Sequence, residues 1–326
     1  MRELLFDEVP SLDLADFTSG NAQKKEDFVK NLSEAYQNIG FVAIKNHGLS
    51  ASLQEELYRA IHAFFSLPDQ VKAAYERPEI GFQRGYTGKG KEHAKGRNTG
   101  DLKEFYHVGQ DLDWISNDDP VKADYPPNVW PKEVSVFREV SLQVFQTIEE
   151  AGKQMLRAIA LSLGLKESYF DDKVFQGNSI LRSIHYFPIP NPEEVPADAV
   201  RAAEHGDINL ITLLMGASAD GLQVLRRDGK WIPITALPDQ LVVNVGDMLE
   251  RLTNKKLKST IHRVVNPPRE KMNSSRYSIP FFMHPRSEMD LSCLDSCVDA
   301  DHPKAFADCT AGEFLDERLK ELGLKK

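Results

Sequence analysis

Apolar residues recur at helical spacing in the first half of the chain and at strand spacing in the second, with the change near residue 178. Phe28, Leu32, Ala35, Tyr36 and Ile39 mark one face of a helix. Gly40 ends it, since glycine takes the left-handed cap conformation without strain. Residues 41–44 (Phe-Val-Ala-Ile) form a short apolar run that predicts a buried strand, and Asn46-His47-Gly48 turns the chain. A second helix is predicted from Leu53, Leu57, Ile61 and Phe64, with a break at Pro68. Residues 77–132 read as extended loops with one strand near 102–108. Val134, Phe137, Val140, Val144, Ile148, Met155, Ile159 and Leu163 then form the longest amphipathic stripe, closed by Gly164.

Beyond residue 178, β-branched runs alternate with turns such as Arg227-Asp228-Gly229 and Gly246-Asp247. The predicted strands are 179–187, 208–215, 222–226, 230–234, 241–245, 248–252, 258–265 and 275–283. Short strands in this number predict a mainly β fold with flanking helices, a distorted double-stranded β-helix or jelly roll. An N-terminal α/β cap over residues 1–125 and the long helix, jelly-roll core and C-terminal helix over 126–326 are expected to form one unit. A helix over 310–322 is expected either to cover the sheet or to meet a partner, so monomer and homodimer are both open.

Composition narrows the function. With 326 residues and 41% hydrophobic content, the chain can bury a large core. A net charge of -9 argues against nucleic acid as a partner. Lys89, Lys91, Lys95 and Arg97 lie among glycines and read as a solvated loop. No apolar run is long enough to span a membrane, and residues 1–10 do not read as a secretory signal. Three cysteines make no disulfide framework, so a reducing cytoplasm is the expected compartment. Cys293, Cys297 and Cys309, with His302 among them, match no tight zinc-binding pair, and free thiols are the plainer reading.

The candidate chemistry sits in the β-rich half. His205-Gly206-Asp207 opens the run 208–215. If these residues are extended, alternation points His205 and Asp207 the same way, and Gly206 leaves room for a bulky group. A second histidine from another strand completes a facial triad of two imidazoles and one carboxylate, the geometry of non-haem iron(II) oxygenases. His262, in the strand-like run 259–265, is the candidate. Arg276 and Ser278 follow, two apart and therefore on one strand face. A guanidinium grips a carboxylate with two parallel hydrogen bonds, and a serine hydroxyl adds a third. Taken singly, His262 is more often a satisfied core histidine and Arg276 a surface arginine. Among 9 histidines and 49 acids, roughly one His-x-Asp/Glu arises by chance. The ordered set on successive strands is what carries the prediction.

These motifs resemble the isopenicillin N synthase-like branch of the 2-oxoglutarate and iron(II)-dependent oxygenases, over nearly the whole chain. The likeness rests on Val9-Pro10-Ser11-Leu12-Asp13-Leu14, on Gly40-Phe41-Val42-Ala43-Ile44-Lys45-Asn46-His47-Gly48, and on Ile184-His185-Tyr186-Phe187-Pro188. It extends through 221–231 and Val242, Asn244, Gly246 and Asp247. The resemblance implies iron(II) on His205, Asp207 and His262, with 2-oxoglutarate as cosubstrate on Arg276 and Ser278 and beside Tyr186. It implies dioxygen as oxidant and a small organic molecule as substrate, with a structural role for His47. Many relatives read Asn-Tyr-Tyr-Pro before the iron motif. Here His185 and Phe187 replace the first and third residues, which removes a tyrosine hydroxyl that could help hold 2-oxoglutarate. Pro267 to Asn273 lengthen the gap between His262 and Arg276.

The expected reaction couples decarboxylation of 2-oxoglutarate to hydroxylation, desaturation or cyclisation of the substrate. Arg84, Tyr86, Phe105, His107, Leu181 and Tyr186 are candidate pocket residues, with packing the preferred reading for Phe105 and Leu181. Two other readings stay open at this point: an isopenicillin N synthase-like oxidase that uses no 2-oxoglutarate, and a metal-binding jelly roll without redox work.

Overall fold

Strand side chains alternate, and the strands of the larger sheet serve two different cores. The structure is a computed structural model describing residues 6–91, 103–116, 120–189, 201–215, 221–234, 237, 239–267 and 269–321. The strands are β1 (Ser11–Asp13), β2 (Phe41–Lys45), β3 (Gly85–Thr87), β4 (Lys103–Gly109), β5 (Ile180–Tyr186) and β6 (Ala202–His205). They continue with β7 (Ile211–Met215), β8 (Leu222–Leu225), β9 (Trp231–Pro233), β10 (Leu241–Val245), β11 (His262–Val264) and β12 (Arg276–Met283). One sheet has eight strands in the order β1-β2-β10-β7-β12-β5-β4-β3, and the other four in the order β6-β11-β8-β9. Among the strand pairs of the described residues, β1–β2 is the parallel one.

The inner core lies between the sheets. Phe41, Phe105, Ile184, Tyr186, Leu214 and Val242 from the large sheet meet Ala202, Leu222, Val224, Ile232 and Val264 from the small one. Alternate residues of the large sheet, among them Val42, Tyr106, Leu181, Leu213, Val243, Ile279 and Phe281, face outward into a second core covered by helices. Two sheets sharing a core, with helices on one outer face, make the expected distorted jelly roll.

The helices follow the predicted stripes. Ala22–Asn38 and Ala51–Phe65 start at Asn21 and Ser50, whose side-chain oxygens accept from the Lys24 and Leu53 amides. The long helix Phe137–Ser162 buries Val140, Val144, Ile148, Met155 and Ile159. It lies close to the sheet at Gly152, where a Cβ would come within 2.5 Å of Met283 Sδ. The C-terminal helix Ala311–Glu321 begins with a capping box between Thr310 and Glu313, and Phe314 and Leu315 pack on the outer core.

Three predicted strands are corrected. Residues 248–252 are helical, within Asp247–Leu252. Met248, Leu249 and Leu252 are its buried residues, and that spacing of one and four belongs to a helix turning one face inward. The strand predicted over 208–215 begins only at Ile211, and that over 258–265 shrinks to His262–Val264. Lys95, Arg97 and Leu322 lie outside the described residues.

Candidate metal centre

His205 is the last residue of β6 and His262 the first of β11, and the two are register partners across the small sheet. Their rings are 4.4 Å apart between centroids. Asp207 lies beyond β6, in the turn toward β7. Strand alternation therefore does not bring His205 and Asp207 together, contrary to the sequence argument. The turn does, fixed by the Asp247 amide donating to the Asp207 carbonyl at 2.7 Å. Gly206 makes room for Asp247 and Ser259, each 3.0 Å from where a Cβ would stand.

Hydrogen bonds aim the three side chains. His205 Nδ1 lies 2.6 Å from the Ala203 carbonyl and His262 Nδ1 lies 3.2 Å from the Thr260 carbonyl. A carbonyl only accepts, so both Nδ1 atoms carry protons, which leaves Nε2 of each ring as the atom to bind a metal. Asp207 Oδ2 accepts from Thr212 Oγ1 and from Asn244 Nδ2, each at 2.7 Å. Its Oδ1 is left 3.7 Å from His262 Nε2. Ligand atoms each about 2.1 Å from one ion stand roughly 3–4 Å apart, so this spacing suits a shared metal. Ligand atoms of all three residues lie within 4.8 Å of one another, and no other trio of His, Cys, Asp or Glu converges this way among the described residues.

The protonation states agree with metal binding. Desolvation, then the nearby His262, lowers the His205 pKa, although the residue as a whole is exposed. Burial alone would raise the Asp207 pKa. The His262 and His205 charges and the Asn244 and Thr212 hydrogen bonds outweigh it and hold the carboxyl below the usual range.

A second polar group lies on the inner face. Arg276 pairs in register with Tyr186, and Ser278 with Ile184. The Arg276 guanidinium stands 5.0 Å from the Tyr186 ring centroid. It is buried, yet its Nε and Nη1 have no hydrogen-bond partner among the described residues. Buried donors without partners are costly, so such a site is built for an incoming acceptor.

Comparison with known proteins identifies the reaction class. Residues 9–133 match the family model for the N-terminal region of the non-haem dioxygenases described from morphine synthesis, and residues 177–285 match that of the 2OG-Fe(II) oxygenase superfamily. A 2-oxoglutarate-Fe(II) type oxidoreductase of Emericella nidulans, hxnY, is 31% identical over 96% of this chain and 89% of its own length. The chain belongs to the 2-oxoglutarate/Fe(II) oxygenase family.

Solved structures of this family superpose closely. A 2OG-Fe(II) oxygenase family protein from Caulobacter crescentus is 39% identical over 96% of this chain and 98% of its own, with a TM-score of 0.85. A full-length Neurospora crassa protein, crystallised with α-KG and thymine, is 30% identical over 96% of each chain, with a TM-score of 0.84. The chain is accordingly a 2-oxoglutarate- and iron(II)-dependent oxygenase, and the two readings without 2-oxoglutarate or without redox work are not favoured. The donor set suits these groups: two imidazoles presenting Nε2 and a carboxylate for iron(II), and orphaned guanidinium donors for a carboxylate.

The remaining candidates separate by strand face. Phe105, His107 and Tyr186 point inward, whereas Leu181 faces the helices as packing. Tyr86 is also on the outer side, where it donates to Glu104 Oε2 at 2.5 Å, and so does not line the inner pocket. Arg84 is buried against Gly109 and donates to Asn178 Oδ1. Tyr186, expected beside the cosubstrate, is the residue opposite Arg276 in register, so Phe187 removes no hydroxyl from that point. His47 is buried, accepts from the Leu49 amide at Nδ1 and donates from Nε2 to the Asp239 carbonyl.

Arg182, Thr212 and Arg201 escaped sequence reasoning, as did the role of Asn244 beside Asp207. Arg182 stacks on Phe105 at 4.3 Å and donates through Nε to His107 Nε2 at 2.7 Å. Its only signal was its place two residues before Ile184 on a predicted strand. No helix among the described residues is long and apolar enough to cross a membrane.

Proposed function

We propose that His205 Nε2, His262 Nε2 and Asp207 Oδ1 hold the iron, and that Arg276, Ser278 and Tyr186 hold the distal carboxylate of 2-oxoglutarate. The observation that carries this reading is the convergence of the three ligand atoms beside a buried arginine with orphaned donors. Bound iron(II) and 2-oxoglutarate supply the oxidising power, since decarboxylation to succinate and carbon dioxide accompanies oxidation of a substrate C–H bond by dioxygen. The protein's own residues orient and exclude water. Thr212 and Asn244 turn the Asp207 carboxylate, the Ala203 and Thr260 carbonyls fix both imidazole tautomers, and the inner apolar wall keeps water from the cosubstrate chain.

The substrate is a small organic molecule, and Arg182 with His107, Phe105 and Phe282 forms the wall we assign to it. Arg182 lies 4.3 Å and 5.2 Å from the two phenyl ring centroids, a stacked cation suited to a small polar group. The thymine-bound Neurospora crassa relative supports a substrate of that size. Residues 1–125 and 126–326 act as one unit in this reading, supported by β1 to β4 sharing a sheet with β5, β7, β10 and β12. Three free thiols and a ferrous cofactor support a reducing, cytoplasmic setting.

Anaerobic titration of the iron(II)-loaded protein with 2-oxoglutarate tests the assignment. Wild type develops the visible charge-transfer band of a chelated keto acid, His205→Ala loses it, and Arg276→Ala requires at least tenfold more ligand. An unchanged titration in Arg276→Ala would remove that residue from the site.

A further inference from the structure

Arg201 lies immediately before β6 and is 2% exposed. Its Nη2 donates to the Ser274 carbonyl at 3.1 Å, while its Nε has no partner among the described residues. Ser274 is two residues before Arg276, so one strand approach carries both an acceptor for Arg201 and the second guanidinium. Burial, then the Arg276 charge, pushes the Arg201 pKa down, and Tyr186 also acts on it. Tyr186 in turn lies under the Arg276 guanidinium, and its register partner on β4 is Lys103.

Like charges buried side by side are costly twice, through lost hydration and through repulsion. Neither arginine forms an ion pair with an Asp or Glu among the described residues. The buried carboxylate of Asp207 is already committed to Thr212, Asn244 and the two histidines. An anion from outside the chain satisfies the orphaned donors of both guanidiniums together. A carboxylate suits this role, because two oxygens with about four lone-pair directions accept from two forks at once.

We propose that Arg201 is a second anchor for the distal carboxylate of 2-oxoglutarate, which sits between the Arg201 and Arg276 guanidiniums. This rests on the assignment of 2-oxoglutarate to Arg276 made above. The paired arginines make the pocket selective for keto acids that end in a carboxylate.

The test uses the full-length, iron(II)-loaded protein under anaerobic conditions. The probes are 2-oxoglutarate and 2-oxopentanoate, which shares the chelating end and carries a methyl group in place of the distal carboxylate. The charge-transfer band reads binding in wild type, Arg201→Met and Arg201→Lys. Arg201→Met is expected to bind 2-oxoglutarate roughly ten- to hundredfold more weakly and 2-oxopentanoate nearly unchanged, with Arg201→Lys recovering part of the loss. Metal-free Arg201→Met is expected to melt no lower than wild type, because a buried like charge has gone. Wild-type affinity for 2-oxoglutarate in Arg201→Met overturns the proposal, and so does an equal loss for both keto acids, which marks a structural role. A wild type without a band for either acid overturns the cosubstrate site itself, and this proposal with it.

Discussion

Asn244, on β10, donates from Nδ2 to Oδ2 of Asp207 at 2.7 Å, in the turn that leads into the neighbouring strand β7. Thr212 donates to the same oxygen. The carboxylate thus presents Oδ1 to the imidazoles and cannot rotate freely. Removing such an orienting partner typically lowers metal affinity about 10–100-fold. Asn244→Ala is expected to weaken iron(II) binding by about that factor in a chelator competition, with Thr212→Val adding to it. Unchanged affinity in the double variant would show that Asp207 orients itself.

Behind the inner wall, Glu104 accepts from Lys72 at 2.7 Å, from Tyr86 at 2.5 Å and from His185 Nδ1 at 2.8 Å. Glu104 and Lys72 are both buried. Breaking a buried pair leaves an uncompensated charge, which costs about 3–5 kcal/mol. Lys72→Met is expected to lose stability of that order in chemical denaturation. Adding Glu104→Gln restores most of it, because the orphaned charge is then gone. Both variants bind 2-oxoglutarate normally below their melting temperatures, since the network lies on the face of β4 and β5 opposite Tyr186. A double variant no more stable than Lys72→Met would show that the pair does more than neutralise itself.

Gly246 joins β10 to the helix Asp247–Leu252, and a Cβ there would lie 2.1 Å from the Asn209 carbonyl oxygen. Backbone cannot yield as a flexible side chain can. The same stretch is tied by the Gly246 amide to Leu210 and by the Asp247 amide to Asp207. Gly246→Ala must therefore push on the turn that carries Asp207. It is expected to cost about 1–3 kcal/mol, in the range of other overpacking changes. Iron(II) affinity should fall more than in Gly152→Ala, whose Cβ meets only the side chains of Met283 and Leu213. Equal iron affinity in the two variants would count against the coupling.

Much of this arrangement was legible in the sequence because strand alternation is strict. Arg276 and Ser278 share a face as their spacing requires, and the long stripe became one helix, Phe137–Ser162, with Val134 and Leu163 just beyond its ends. Alternation failed where the chain leaves a strand. His205 ends β6, so the approach of Asp207 depends on a turn held by backbone bonds from residue 247, forty positions away. The same limit hid Thr212, Arg201 and the contact of Asn244 with Asp207. Each of the three is an ordinary strand or loop residue until folding sets it beside its partner. Whether the missing hydroxyl at Phe187 mattered was hidden too, since only register with Arg276 shows that Tyr186 stands opposite it.

His284 follows β12 and is buried, with no partner for Nδ1 among the described residues. Burial pushes its pKa from the ordinary 6.5 down to about 4, and the nearby charges of Asp207 and Arg84 act on it in opposite directions. Between those two values the unfolded chain binds a proton that the folded protein refuses. Stability therefore rises with pH across this window, and is lost as pH falls from 6.5 toward 4. A full proton of difference amounts to about 1.4 kcal/mol per pH unit. His47, whose pKa burial also lowers, adds to the same slope. In metal-free protein, denaturation free energies for His284→Leu are expected to fall less steeply than wild type below pH 6.5, by up to that amount, and to run parallel above pH 7. Parallel curves throughout would mean that His284 takes up its proton in the folded state.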